Sequence, residues 1–100
     1  MFEDQSDCCQ TIAKYMDEAV SRPWSDVRID VKLDGEAIYL VSSYQPRDSI
    51  GKREECLVDD FVAECFYQLA RLVSTPEKGL FKECVFILKS DGKYNADFVY

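Results

Sequence analysis

The stretch VRIDVKLDGEAIYL, residues 27 to 40, leaves this chain few ways to fold. Its first half alternates strictly, setting Val27, Ile29, Val31 and Leu33 on one face, the period of a strand with one buried side. Asp34-Gly35 follows, a dipeptide suited to the positive φ angles of a two-residue hairpin turn. Pairing across that turn predicts Val31 against Ile38 and Ile29 against Leu40, apolar on apolar. The opposite face pairs Arg28, Asp30 and Lys32 with Val41, Tyr39 and Ala37, so it is only half polar. Such a hairpin needs a second layer to cover its apolar side.

Two segments can supply that layer. Over residues 6 to 21, Cys9, Ile12, Ala13, Met16, Ala19 and Val20 recur at helical spacing. Ser6 or Asp7 is placed to cap this helix, and Pro23 ends it. A second helix is predicted over 59 to 74, with Phe61, Val62, Cys65, Phe66, Leu69, Leu72 and Val73 inward. STPEKG breaks it. The intervening QPRDSIGKREEC, residues 45 to 56, reads as a loop.

The chain closes on FILKSDGKYNADFVY. Cys84 to Leu88 is a continuous apolar run, as in a strand covered on both faces. Its partner alternates Tyr94, Ala96, Phe98 and Tyr100. A two- or four-residue turn sets these toward Val85 and Ile87; a three-residue turn swaps the pairing. The order is α-β-β-α-β-β, and the simplest burial is an α+β two-layer sandwich. Both helices lie on one face of a four-stranded antiparallel sheet. Ile29, Val31, Leu40, Phe66, Leu69, Val85, Ile87 and Phe98 are the expected core, with Trp24 as a lid at its margin.

The 100 residues, 47% hydrophobic and 31% charged, suit a single domain over 1–100. No apolar run approaches the ~20 residues of a membrane span. The start, MFEDQSDCCQ, is acidic where a secretory signal is basic and then apolar, so the expected location is cytoplasmic. Five cysteines, an odd number without a C-x-x-C pair, point to reduced, mostly buried thiols rather than a disulfide framework. The chain has no histidine, and neither a metal site nor a cofactor is expected.

The formal net charge is -7, which disfavours direct nucleic-acid binding, since phosphate contacts need a basic footprint. The charge is unevenly spread. Residues 1–20 and 53–77, the two helical segments, each carry a net -4, while 21–52 are neutral and 78–100 are slightly basic. Helices sharing one face of the sheet then present one acidic plate. Such a plate either keeps the protein soluble or docks a basic partner. No residue pattern favours catalysis. Asp59-Asp60 at a helix start suits capping. Cys8-Cys9 has only carboxylates nearby to activate a thiolate, and these raise its pKa.

The order of elements resembles a known family. The first helix, WSDVRIDVKLDGEAIYLVSSYQP, the helix FVAECFYQLARLV and the closing FILKSDGKYNADFVY are similar to YezG-like immunity proteins. The likeness runs from about Ile12 to Tyr100. Its marks are the Trp before the first hairpin, the aromatic-rich second strand, and the Asp-Gly turn leading to Asp97-Phe98-x-Tyr100. The resemblance implies a small bacterial antitoxin that neutralises the toxic C-terminal domain, often a nuclease, of a polymorphic toxin. It carries no partner-binding positions of its own.

Charge and resemblance together predict an immunity protein, not an enzyme, whose acidic surface blocks a basic toxin domain. The residues expected to bind are Asp17, Glu18, Tyr44, Glu54, Glu55, Asp60 and Glu64. Should the acids play no part, Tyr39, Tyr44 and the 45–56 loop are the fallback surface. A homodimeric adaptor using an edge strand or the half-polar sheet face is the alternative, and a small carboxylate hydrolase the third reading.

Overall fold

The computed structural model describes residues 4–48 and 51–100. Residues 49 and 50 of the expected loop, and Glu3 of the acidic N-terminal segment, lie outside the described residues. The elements are α1 (Gln5–Ala19), β1 (Trp24–Asp34), β2 (Ala37–Pro46), β3 (Glu54–Glu55), α2 (Phe61–Leu72), β4 (Glu83–Lys89) and β5 (Tyr94–Val99). The fold is α+β, with two helices against an antiparallel sheet of five strands in the order β3-β2-β1-β4-β5. The strand not anticipated is β3, two residues at the end of the expected loop. It pairs with Ser43 and Tyr44 of β2. Among the described residues, no helix is long and apolar enough to cross a membrane.

α1 starts earlier than the apolar stripe suggests. Its cap is Asp4 rather than Ser6 or Asp7: the Asp4 side chain accepts from the Asp7 backbone N–H at 2.8 Å, satisfying an amide with no helical partner. Cys8, Cys9, Ile12 and Met16 are its buried residues. In α2 the buried stripe is Val62, Cys65, Phe66, Leu69 and Ala70. That stripe carries Val73 toward the core and leaves Leu72 exposed, which corrects the inward placement of Leu72.

The first hairpin keeps the expected faces but not the expected register. Val31 lies opposite Leu40, Leu33 opposite Ile38 and Ile29 opposite Ser42. The two-residue loop is Gly35-Glu36, and Gly35 supplies the positive φ, +62°, at its first position. This is the glycine placement of a type II′ turn. Because the pairing moves by two residues, every side chain stays on its predicted side.

The closing hairpin turns through three residues, Ser90 to Gly92. Lys89 N–H donates to Lys93 C=O at 2.8 Å, and Gly92 takes the left-handed φ of +89°. Tyr94, Ala96 and Phe98 therefore stand opposite Leu88, Phe86 and Cys84. Val85 and Ile87, expected in the core, lie on the helix-free face. β1 decides this: Leu88, Phe86 and Cys84 pair with Val27, Ile29 and Val31, the buried residues of that strand. Phe86 meets Phe66 of α2 edge-on at 5.9 Å and stacks on Tyr94 at 5.5 Å. Phe81, just before β4, is buried and stacks on Phe98. Trp24 packs half-buried at the margin of this core.

Candidate partner-binding site

The end of the sheet that carries β3 is held by ion pairs. Arg22, between α1 and β1, contacts Glu54 and Asp48 at 3.0 Å each. Arg53 reaches Asp26 at 2.7 Å and the Ser43 hydroxyl at 3.2 Å. Glu54 also accepts from the Tyr44 hydroxyl at 2.7 Å. That bond to a carboxylate raises the pKa of the phenol, with burial and the charge of Glu54 adding to it. Asp48 likewise raises the pKa of Arg22, mainly through its hydrogen bond. Tyr44 is thus buried on the helix side of the sheet, and Glu54 is half-buried in a strand. Neither stands free on the surface as expected; both fasten β3.

Glu18, Glu55, Asp60 and Glu64 are exposed and border three adjoining hollows. Glu55, Asp59 and Asp60 line an open groove of about 690 Å³ whose apolar wall includes Leu40, Val58 and Ala63. At one end, Leu57, Val58 and Asp59 are shared with a hollow bounded by Glu18 and Tyr15 of α1. At the other, Ala63 is shared with a hollow lined by Glu36, Ile38, Glu64 and Tyr67. Asp17 does not join them. It borders a separate depression beside Lys14, Trp24 and Tyr94. Glu18, Glu55, Asp60 and Glu64 thus border adjoining hollows along the β2 edge and the N-terminal half of α2, and Asp17 borders another.

Three members of these hollows were not anticipated. Asp59 was expected only to cap, and it does accept from Phe61 N–H at 2.8 Å while lining the groove. Asp60 makes no side-chain capping bond. Glu36 enters through the turn it shares with Gly35. Leu57 is 92% exposed in the short β3–α2 connection.

The thiols face inward. Cys8, Cys9, Cys65 and Cys84 are buried in the core, and Cys8 Sγ donates to the Cys65 carbonyl at 3.2 Å. Desolvation, with neighbouring thiols and acids adding to it, pushes Cys8 and Cys84 up to about 12. Burial pushes Cys65 up to about 11 and raises Cys9 and Cys56. At neutral pH these side chains are thiols, which are poor nucleophiles and poor metal ligands. Among the described residues, no group of three or more Cys, Asp or Glu is arranged to hold a metal ion.

Compared with protein-family models and with curated proteins, the chain matches none.

Proposed function

We propose that this chain is an immunity protein, which binds and neutralises the toxic domain of a cognate toxin in the cytoplasm without chemistry of its own. The observation that carries the reading is the groove of Glu55, Asp59 and Asp60, lined also by solvent-exposed Leu57 and adjoining a hollow that holds Glu36 and Glu64. A nuclease must hold a polyanion, so its cleft is basic, and an acid-rimmed groove is complementary to it. Leu57 supplies an apolar anchor within that rim. The inert, buried thiols favour binding over nucleophilic catalysis.

The test is co-expression with the toxin domain encoded beside this chain. Survival of the cells and co-purification of a complex are expected, with protection impaired by Leu57→Asp. Cell death despite a folded, soluble protein, with no complex recovered, overturns the reading. A homodimeric adaptor remains a second reading because Tyr39, Val41 and Val99 expose apolar surface on the helix-free face of the sheet. A dimer in sedimentation at micromolar concentration, abolished by Val41→Lys, is the result it requires.

A further inference from the structure

β2 is an edge strand along most of its length. Its closing pair with β1, Asp34 and Ala37, flanks a two-residue loop, so odd-numbered residues of β2 bond to β1 and even-numbered ones turn their N–H and C=O outward. The other side of β2 agrees: Cys56 N–H donates to the carbonyl of Ser42, an even-numbered residue, at 3.2 Å. β3 covers only Ser43 and Tyr44. The outward N–H and C=O groups of Ile38 and Leu40 meet no backbone partner among the described residues. From Ala37 to Val41 the open edge runs roughly 17 Å at ~3.3 Å per residue.

An edge of this kind is usually guarded by Lys, Pro or a bulge. Here it reads Ile38-Tyr39-Leu40-Val41, with none of these. The opposite edge, β5, carries Asn95 and Asp97. The open β2 edge also borders the acidic hollows: Leu40 lines the groove of Glu55, Asp59 and Asp60, Ile38 lines the adjoining hollow of Glu36 and Glu64, and Ala63 of α2 lines both.

We infer that the partner docks by strand addition, laying an extended segment of alternating basic and apolar residues along the Ile38–Leu40 edge of β2. Main-chain bonds to Ile38 and Leu40 give affinity, as in other strand-adding complexes. The Lys and Arg residues of the segment point to the helix side of the sheet, toward Asp60 and Glu64 of α2, while its apolar residues, on the opposite face, cover the exposed side chains of Tyr39 and Val41. A second copy of this chain is a poor occupant, because pairing β2 with β2 brings two acidic rims together. The inference rests on the reading of the chain as a binder of a basic protein and specifies how that protein engages it.

The test is amide hydrogen exchange on the full chain, followed by NMR, with a short capped peptide of alternating Lys and Val as the probe. The amides of Ile38 and Leu40 are expected to exchange about tenfold more slowly near saturation, as for a newly bonded strand. Those of Tyr39 and Val41, already bonded to β1, should stay unchanged. The same peptide with N-methylated backbone amides should not protect, and Glu64→Lys should weaken the unmodified peptide severalfold. Leu40→Pro, which removes an outward N–H and leaves the β1 ladder whole, should abolish protection. Binding without protection of Ile38 and Leu40 overturns strand addition but leaves the acidic binding surface standing. No binding of either peptide at low salt overturns both. Protection that grows with protein concentration alone names a second copy as the occupant and overturns the basic segment.

Discussion

The Tyr44 hydroxyl donates a 2.7 Å hydrogen bond to Oε2 of Glu54, the oxygen that also accepts from Arg22 at 3.0 Å. One carboxylate oxygen thus joins β2, β3 and the segment between α1 and β1. β3 is two residues long, and so few ladder bonds do not hold a strand by themselves. The side-chain bonds keep it in place. Tyr44→Phe and Glu54→Gln are each expected to lower the urea midpoint, and the double variant to lower it by less than the two effects combined. Fully additive losses would show that the two residues act separately.

Phe86 and Ile87 are neighbours on β4 with opposite fates. Phe86 is fully buried against Phe66, while Ile87 lies on the helix-free face. Phe86→Ala should cost ~3–5 kcal/mol through the cavity it leaves, and Leu69→Ala ~2–5 kcal/mol. Ile87→Thr, at a half-covered position, should cost about 1 kcal/mol or less. Denaturant titration of the three variants checks the ranking; equal losses at 86 and 87 would contradict the three-residue turn.

That pair also marks where local pattern stops being informative. In Val27–Leu33 the alternation has one solution, and the buried residues of β1 are those it names. Cys84–Leu88 is apolar throughout, so its inward residues follow from pairing with β1, a contact far away in sequence. The register of the first hairpin differs from the expected one by two residues because alternation is unchanged by such a shift; only the position of Gly35 in the turn distinguishes the registers. β3 is too short to show any period. The acidic hollows were half legible: Glu18, Glu55, Asp60 and Glu64 could be named from charge and helix position. Asp17 is not separable from them in the sequence, because helix position alone does not tell which flank of α1 meets α2. Leu57 carries no local signal at all, since its exposure depends on the path from β3 to α2.

The buried thiols predict an alkaline limit to stability. Cys8 and Cys84 are held protonated to about 12 and Cys65 to about 11, against an ordinary value of 9.0. These folded-state values are raised, so the contribution is fully present below about pH 9, where the unfolded chain also keeps its protons. It is lost as pH climbs from 9 toward 11–12, because unfolding then releases protons that the folded state retains. The urea midpoint should fall between pH 8 and pH 10. The decisive comparison is Cys84→Ala, which removes one of these raised thiols and leaves every other group in place. This variant should be less stable at pH 8 and lose less on going to pH 10. An identical loss in both proteins would show that Cys84 does not report this linkage.

The geometry of the hollows makes a sharper prediction than total charge does. Glu55→Lys reverses a charge that lines the groove and Glu64→Lys one in the adjoining hollow, whereas Asp17→Lys reverses one that borders a separate depression. All three side chains are exposed, so stability should stay within ~0.5 kcal/mol of the parent. Against a basic toxin domain, Glu55→Lys and Glu64→Lys should slow association and impair protection of the cell, while Asp17→Lys should leave both near the parent values. Association of the parent should weaken as salt rises, because the Debye length shrinks from about 10 Å at 0.1 M to about 3 Å at 1 M. Stopped-flow rates across that salt range separate the cases. Equal slowing by all three variants would indicate that net charge alone steers encounter. Rates indifferent to salt and to all three reversals would remove the acids from the mechanism and leave Leu57, Val41 and Tyr39 to carry the interface.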